Sequence, residues 1–264
     1  TTIQSPDAAL ATSFSSPRGN HQAILAAVNG ADLTASDLTI DGAAHGRKAN
    51  PGGYSNNRFT GLGASESNLT VTDSRFIDVR DPLVSGELSG VQSGFAIYAY
   101  SDTAPRKPIN VSGSQFEGFQ KTGILLQGSG LVGDIDDNDV QCFGPTSGIG
   151  QNGIQFQGGT NGSITNNRIH GCQYTGPLDA SASALMLYEV DGPTVASQNV
   201  VTDSDNGVYV SEFPDSDAEI SLDQNVIDGN AVGISTPDPL PSGLELNANL
   251  FINNGINADQ PIPG

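Results

Sequence analysis

The feature that most limits the fold is a six-residue unit: an aliphatic residue, a small polar one three places on, and an apolar one five places on. Its cleanest copy lies in Gly162-Ser-Ile-Thr-Asn-Asn-Arg-Ile-His-Gly171. Ile135…Asn138…Val140, Val195…Gln198…Val200, Leu222…Asn225…Ile227 and Leu246…Asn249…Phe251 repeat it, and Leu33…Ser36…Leu38, Val71…Ser74…Phe76 and Val111…Ser114…Phe116 are looser copies. Successive copies start 38, 40, 24, 29, 31, 27 and 24 residues apart. A small residue and a short apolar alternation follow most of them: Gly94-Phe-Ala-Ile-Tyr98, Gly123-Ile-Leu-Leu-Gln127, Gly153-Ile-Gln-Phe-Gln157, Ala184-Leu-Met-Leu-Tyr188 and Gly207-Val-Tyr-Val-Ser211. Self-similarity at about two dozen residues marks a solenoid whose repeats cannot bury a core alone.

Composition narrows the kind of solenoid. The 33 glycines suit frequent turns, and the absence of Trp suits a narrow core of Ile, Val and Leu. A leucine-rich repeat would show denser leucine and a helical arm, but no long 3.6-residue period is present. The expected fold is therefore all-β: a single-domain parallel β-helix over 1–264, about nine coils of three strands, possibly part of a longer chain. Neither end shows a capping helix, which raises end-to-end self-association through exposed ladder groups. No charged-then-apolar leader precedes Thr2-Ile3, so any secretion signal is expected to have been removed or to lie outside this sequence.

The I-x-x-N-x-I-x-G units followed by G-I-x-h, with h apolar, resemble the right-handed parallel β-helix of the pectate-lyase-like superfamily over roughly Ile3 to Asn257. That group includes pectin and alginate lyases, mannuronan epimerases, polygalacturonases, tailspikes and non-enzymatic surface proteins. The resemblance implies the fold and leaves the activity open, because the repeat is a stacking signature. Neither the Asp-Pro-His-Glu of alginate epimerases nor the Gly-His-Gly of polygalacturonases is present.

The longer repeats carry their extra residues in one place, near 43–58, 79–93, 143–152 and 173–183. Stacked coils would bring these loops to one edge, and insertions gathered on one face mark a binding face. Alternation along the adjacent strands predicts two outward columns, Tyr98, Gln127, Gln157, Tyr188, Ser211 and Ala96, Leu125, Gln155, Met186, Tyr209. Tyr98, Gln127, Gln155, Gln157 and Tyr188 are the candidate floor of a sugar groove, since aromatic faces take C–H surfaces and amides bond hydroxyls. A solvated sheet face is the plain alternative.

Charge sets the partner classes. All ten Lys and Arg lie at or before Arg168 among fifteen acids, whereas the last 96 residues hold fourteen acids and no Lys or Arg. A net charge of −19 argues against nucleic acid and membrane insertion and fits a secreted or cell-surface protein. An acidic polysaccharide (a uronan) could bind where basic residues gather. β-Elimination or epimerisation needs a neutralised carboxylate, a base at C5 and a proton donor. Arg80 and Lys121 are candidate neutralisers, and His45, Tyr174 and, less securely, His170 are candidate proton carriers. Asp81 with Asp78 would be the only visible start of a hydrolase pair, and Arg18 lies outside the insertion loops.

Cys142 and Cys172 follow Ile135 and Ile164 by seven and eight residues, which places them on adjacent coils within disulfide reach. The acidic runs Asp134–Asp139, Asp203-Ser-Asp205 and Asp215-Ser-Asp217 make Ca²⁺ possible, though linear spacing cannot show converging oxygens. Asn68, Asn110 and Asn161 begin glycosylation sequons. Two other classes remain open: a non-catalytic glycan-binding module, and a structural or adhesive β-helix that stacks end to end.

Overall fold

A computed structural model describes residues 1–50, 56–212, 218–236, 241 and 243–260. Among these residues the chain winds through three sheets of nine, eight and ten strands, parallel except for one N-terminal pair, each sheet gaining one strand per turn. Strand Asn152–Gln157 of the ten-stranded sheet, Asn161–Thr165 of the eight-stranded sheet and Arg168–His170 of the nine-stranded sheet form one such coil. Ile154, Phe156, Ile164, Ile169, Leu185, Leu187, Val208 and Val210 are all buried in the central stack, as the repeat predicts.

The repeat has a physical origin in the turn between the eight- and nine-stranded sheets. Asn138, Asn167, Asn199, Asn225 and Asn249 form a ladder in which each side-chain oxygen accepts the backbone N–H of the preceding rung. Each amide nitrogen of the ladder also bonds a carbonyl in the coil before it, as Asn167 Nδ2 does with Ile135 O at 2.9 Å. The residue before each rung is left-handed, at φ 54° for Asp137, 56° for Asn166 and 57° for Gln198. Asx residues tolerate that region best, hence the Asn- and Asp-rich unit. Ala248 holds the same conformation at φ 52° without an Asx side chain. Ala248→Asn is therefore expected to raise stability by about 0.5–1 kcal/mol, readable as a higher denaturant midpoint.

The small residue that opens the second element also has a steric cause. A Cβ at Gly153 would lie 2.3 Å from Ile169 Cγ2 and 2.6 Å from Ala184 O, so only the smallest side chains fit where the next coil passes.

Three registers differ from those expected. Ala35…Leu38…Ile40 aligns with Val71…Ser74…Phe76, which shifts the first unit by two residues. Ala196…Asn199…Val201, one residue later than expected, aligns with Ile164…Asn167…Ile169. Val195 and Val200 consequently face outward, since a one-residue slip exchanges the faces of a strand. Within Phe95–Tyr100, Ile97 pairs with Ile124 and Tyr100 with Gln127, so Ala96 takes the small-residue place expected for Gly94.

The N-terminus departs most from a plain coil. Phe14–Ser16, the edge strand of the ten-stranded sheet, pairs antiparallel with Gly19–His21, and this hairpin bends over the sheet's outer face to reach Gly63, Tyr98 and Gln157. Phe14, Ala23, Phe95, Tyr98 and Leu125 form a second buried cluster beneath it. His21 stacks between Phe14 and Tyr98 at ring distances of 4.6 and 4.0 Å. Its two ring nitrogens contact Ser16 Oγ at 2.9 Å and Thr60 Oγ1 at 3.0 Å. Burial, then the charges of Arg58 and Arg18, pull its pKa down to about 3. Unfolded histidine takes a proton near pH 6.5, so stability should be full above about 6.5 and fall as pH drops toward 3. Thermal unfolding measured from pH 7 to 4 should show this loss, and His21→Phe should blunt it. No helix among the described residues is long and apolar enough to cross a membrane.

Candidate functional site

South of the hairpin, toward the C-terminal coils, the outer face of the ten-stranded sheet opens into a groove of about 490 Å³. Its floor comes from alternate residues of three neighbouring strands: Gln155 and Gln157, Met186 and Tyr188, and Tyr209. Gln92 and Ser181, from the loops preceding strands Phe95–Tyr100 and Ser183–Tyr188, line it together with Lys121 and Asn152. Arg18, at the turn of the N-terminal hairpin, completes the lining.

A chain of amides positions that arginine. Asn152 Nδ2 donates to Gln155 Oε1 at 2.8 Å, Gln155 Nε2 donates to Gln157 Oε1, and Arg18 Nη2 donates to the same oxygen at 2.6 Å. Gln155 and Gln157 are buried, so they serve chiefly to fix Arg18. Lys121 Nζ donates to Gly150 O at 2.6 Å. Burial, and after it the charge of Arg18, pull the Lys121 pKa down to about 8. Among the described residues, neither Arg18 nor Lys121 has a carboxylate within ion-pair distance, whereas Arg47, Lys48, Arg75, Arg80 and Arg106 each do. Arg18 Nε and Asn152 Oδ1 are buried with no hydrogen-bond partner.

Of the other sequence-derived candidates, Tyr188 stands in the groove, 38% exposed. Tyr98 is fully buried under the hairpin, donating to Gln127 Oε1 at 2.7 Å and lying 2.9 Å from Ser16 Oγ. That bond engages Gln127 as well. Arg80 lies in a separate hollow of about 420 Å³ with Arg75, Glu117 and Gln141, where it pairs with Asp78 at 2.8 Å. Asp81 is 2% exposed and accepts from Ser89 Oγ at 2.7 Å. His45 precedes the short helix Gly46–Ala49 without a side-chain capping bond, its Nδ1 3.2 Å from the carbonyls of Ser5 and Pro6. Tyr174 packs on the core, and its hydroxyl accepts from Leu178 N at 3.3 Å. His170 sits 3.5 Å from Asp139 on the nine-stranded sheet. Lys121 is thus the one member of the expected catalytic set that lines this groove.

Sequence reasoning missed Arg18. The signal was present as Ser16-Pro-Arg-Gly19, a turn signature with Pro second and Gly fourth between two short runs. Gly19 has φ 120°, and a Cβ there would meet Asn56 O at 2.4 Å.

The loops expected to wall the site stack along the strand starts. A Cβ on Gly148 would meet Leu88 O at 1.9 Å, and one on Gly150 would meet Ser181 O at 2.8 Å. Residues 51–55 of the first expected loop lie outside the described residues. Cys142 and Cys172 form a disulfide, Cα–Cα 4.9 Å, which joins the bases of the third and fourth expected loops, 143–152 and 173–183. Reduction should lower stability by about 2–4 kcal/mol, measured by denaturant titration with and without reductant.

Among the described residues no group of three His, Cys, Asp or Glu side chains is arranged to hold a metal ion. Asp134 and Asp136 instead accept coil-to-coil bonds from Ser163 and Thr165 at 2.8 and 2.7 Å. Asp205 accepts the backbone N–H groups of Tyr174 and Ala182. Asp215 and Asp217 lie outside the described residues.

A model of the right-handed β-helix region matches residues 93–261. The chain belongs to that family. This right-handed β-helix is also similar in structure to a GH136 lacto-N-biosidase from Eubacterium ramulus, solved as its selenomethionine derivative, at 11% identity and a TM-score of 0.49. The similarity covers 95% of this chain and 55% of that one, so the chain spans about half of the neighbour's length. No curated protein matches the sequence.

Proposed function

We propose that this β-helix is a secreted glycan-active protein that takes an acidic polysaccharide, a uronan, into the groove of Arg18, Lys121, Tyr188 and Tyr209. The observation that carries the reading is a pair of groove cations with no carboxylate partner among the described residues, in a protein of net charge −19. A sugar carboxylate supplies the missing counter-charge, and the adjacent tyrosines offer faces for sugar C–H surfaces. The disulfide fits an oxidising compartment.

The same residues suit β-elimination. Arg18 would neutralise the carboxylate, acidifying the proton at C5. Lys121 as free amine would remove that proton, and a tyrosine hydroxyl would protonate the leaving oxygen. The negative charge of Glu189 and then burial hold the Tyr188 pKa above its ordinary value. Among the described residues that line the groove there is no carboxylate, whereas glycoside hydrolysis uses a pair of them.

Lysine ordinarily keeps its charge to pH 10.4. With the Lys121 pKa lowered to about 8, affinity for an acidic oligosaccharide should fall as pH rises from 7 to 9, while turnover of bound substrate should rise. The deciding experiment exposes the protein to pectate, alginate and neutral glycans, scoring binding and the ultraviolet absorbance of an unsaturated product. Binding and absorbance with one uronan support the reading. Binding without product reduces it to a non-catalytic glycan module. Assembly end to end with no glycan affinity supports the structural alternative.

A further inference from the structure

We infer that the groove is closed at its N-terminal end and recognises the reducing end of an acidic glycan chain, with the terminal uronic acid against Arg18 and Lys121 and the glycosidic oxygen at its C4 toward the tyrosines. The inference rests on the uronan reading above and adds how the chain is engaged.

The hairpin makes the difference. An outer sheet face on a plain β-helix would run uninterrupted along the stack, and a polymer could lie across any stretch of it. Here Phe14 and His21 cover the face at Tyr98 and Leu125, both of which are fully buried. The hairpin turn reaches as far as the coil of Gln157, where Arg18 makes its bond. Beyond that coil the face is open at Met186, Tyr188 and Tyr209. The stacked loops bearing Gln92 and Ser181 bound one long side, so the groove follows the stack and meets the hairpin end-on.

Cations gather at that closed end. Arg18 comes from the hairpin turn, and Lys121 is held by Gly150 O in the loop wall. The aromatic side chains stand at the open end. An acidic sugar seated between the cations has the hairpin behind it and the loop wall along one side, so its chain extends away from the hairpin, across Tyr188 and Tyr209. An internal uronate would require the chain to continue through the packed ring of His21 and Tyr98, which lie 4.0 Å apart by ring centroid. The hairpin is not loosely placed, because its histidine is bonded on both ring nitrogens and Tyr98 reaches Ser16.

Stoichiometry tests this without altering the protein. Calorimetry would use oligogalacturonates and oligomannuronates from the disaccharide upward, together with the polymer of whichever series binds, sized by light scattering. End recognition predicts one protein per polymer chain whatever its length, and an affinity per chain that stops rising once the oligosaccharide fills the groove. Several proteins per polymer chain, in proportion to its length, would overturn end recognition and leave the uronan reading in place. Absence of binding by every acidic oligosaccharide would overturn both. As a second arm, an oligosaccharide whose two ends carry neutral sugars around an acidic interior should bind at least tenfold more weakly than one with an acidic reducing end. Equal binding would contradict the inference.

Discussion

Asn167→Leu is expected to lower the unfolding free energy by about 3–5 kcal/mol. Asn167 sits mid-ladder, 1% exposed, and its oxygen accepts from both the backbone nitrogen and the side-chain amide of Asn138, at 3.0 and 2.9 Å. Its amide nitrogen donates to Ile135 O and Thr165 O, and reaches Asn199 Oδ1. Leucine matches the size and removes every one of these bonds. The Asn138 N–H would then be buried without its acceptor, at about 1–3 kcal/mol, and the Ile135 and Thr165 carbonyls would each lose a bond. The same change at Asn249, a partly exposed rung, should cost markedly less because water can replace its bonds. Denaturant unfolding of the two variants measures the difference; equal losses would show that the ladder is not what holds the turns.

That ladder also explains how much of the fold was legible. Stacking at one strand spacing of about 4.8 Å puts the same chemistry at the same place in every coil, so repetition alone identifies the architecture. Register is weaker where apolar residues stand on both faces. Val195 and Val200 satisfy the aliphatic positions better than Ala196 does, and only the buried Asn199 marks the correct frame. Gly94 misled in the same way, because Ala96 is small enough to fill the place of close approach.

The groove was legible in part. Insertion loops and alternation pointed to Gln155, Gln157, Tyr188 and Lys121, all of which line it. The partnership of Arg18 with Gln157 was not, because the residues are 139 apart in sequence and meet only when a non-repeating hairpin folds across several coils. Arg80 shows the converse error. Its place in an insertion loop suggested a ligand contact, and local geometry instead pairs it with Asp78, two residues away.

Replacing both groove cations should have the largest effect on binding. Lys121→Ala or Arg18→Ala alone is expected to weaken an acidic oligosaccharide about ten- to a hundredfold, as loss of a charge-assisted bond of roughly 1.5–3 kcal/mol implies. The two changes together should abolish detectable binding. Arg168→Ala, an exposed cation on the nine-stranded sheet, should leave affinity unchanged within about twofold, given the weak reach of a screened surface charge. Tyr188→Ala should weaken neutral and acidic oligosaccharides alike, since it acts by stacking. Gln157→Ala should resemble Arg18→Ala in part, because it frees the guanidinium to leave the groove.

The most direct measurement is a crystal structure of the protein with a bound acidic oligosaccharide. The account predicts a sugar carboxylate within hydrogen-bond distance of Arg18 and Lys121, with the next sugars lying over Tyr188 and Tyr209. A carboxylate seated instead beside Arg75 and Arg80 in the hollow on the nine-stranded sheet, with the groove of Arg18 empty, would contradict it.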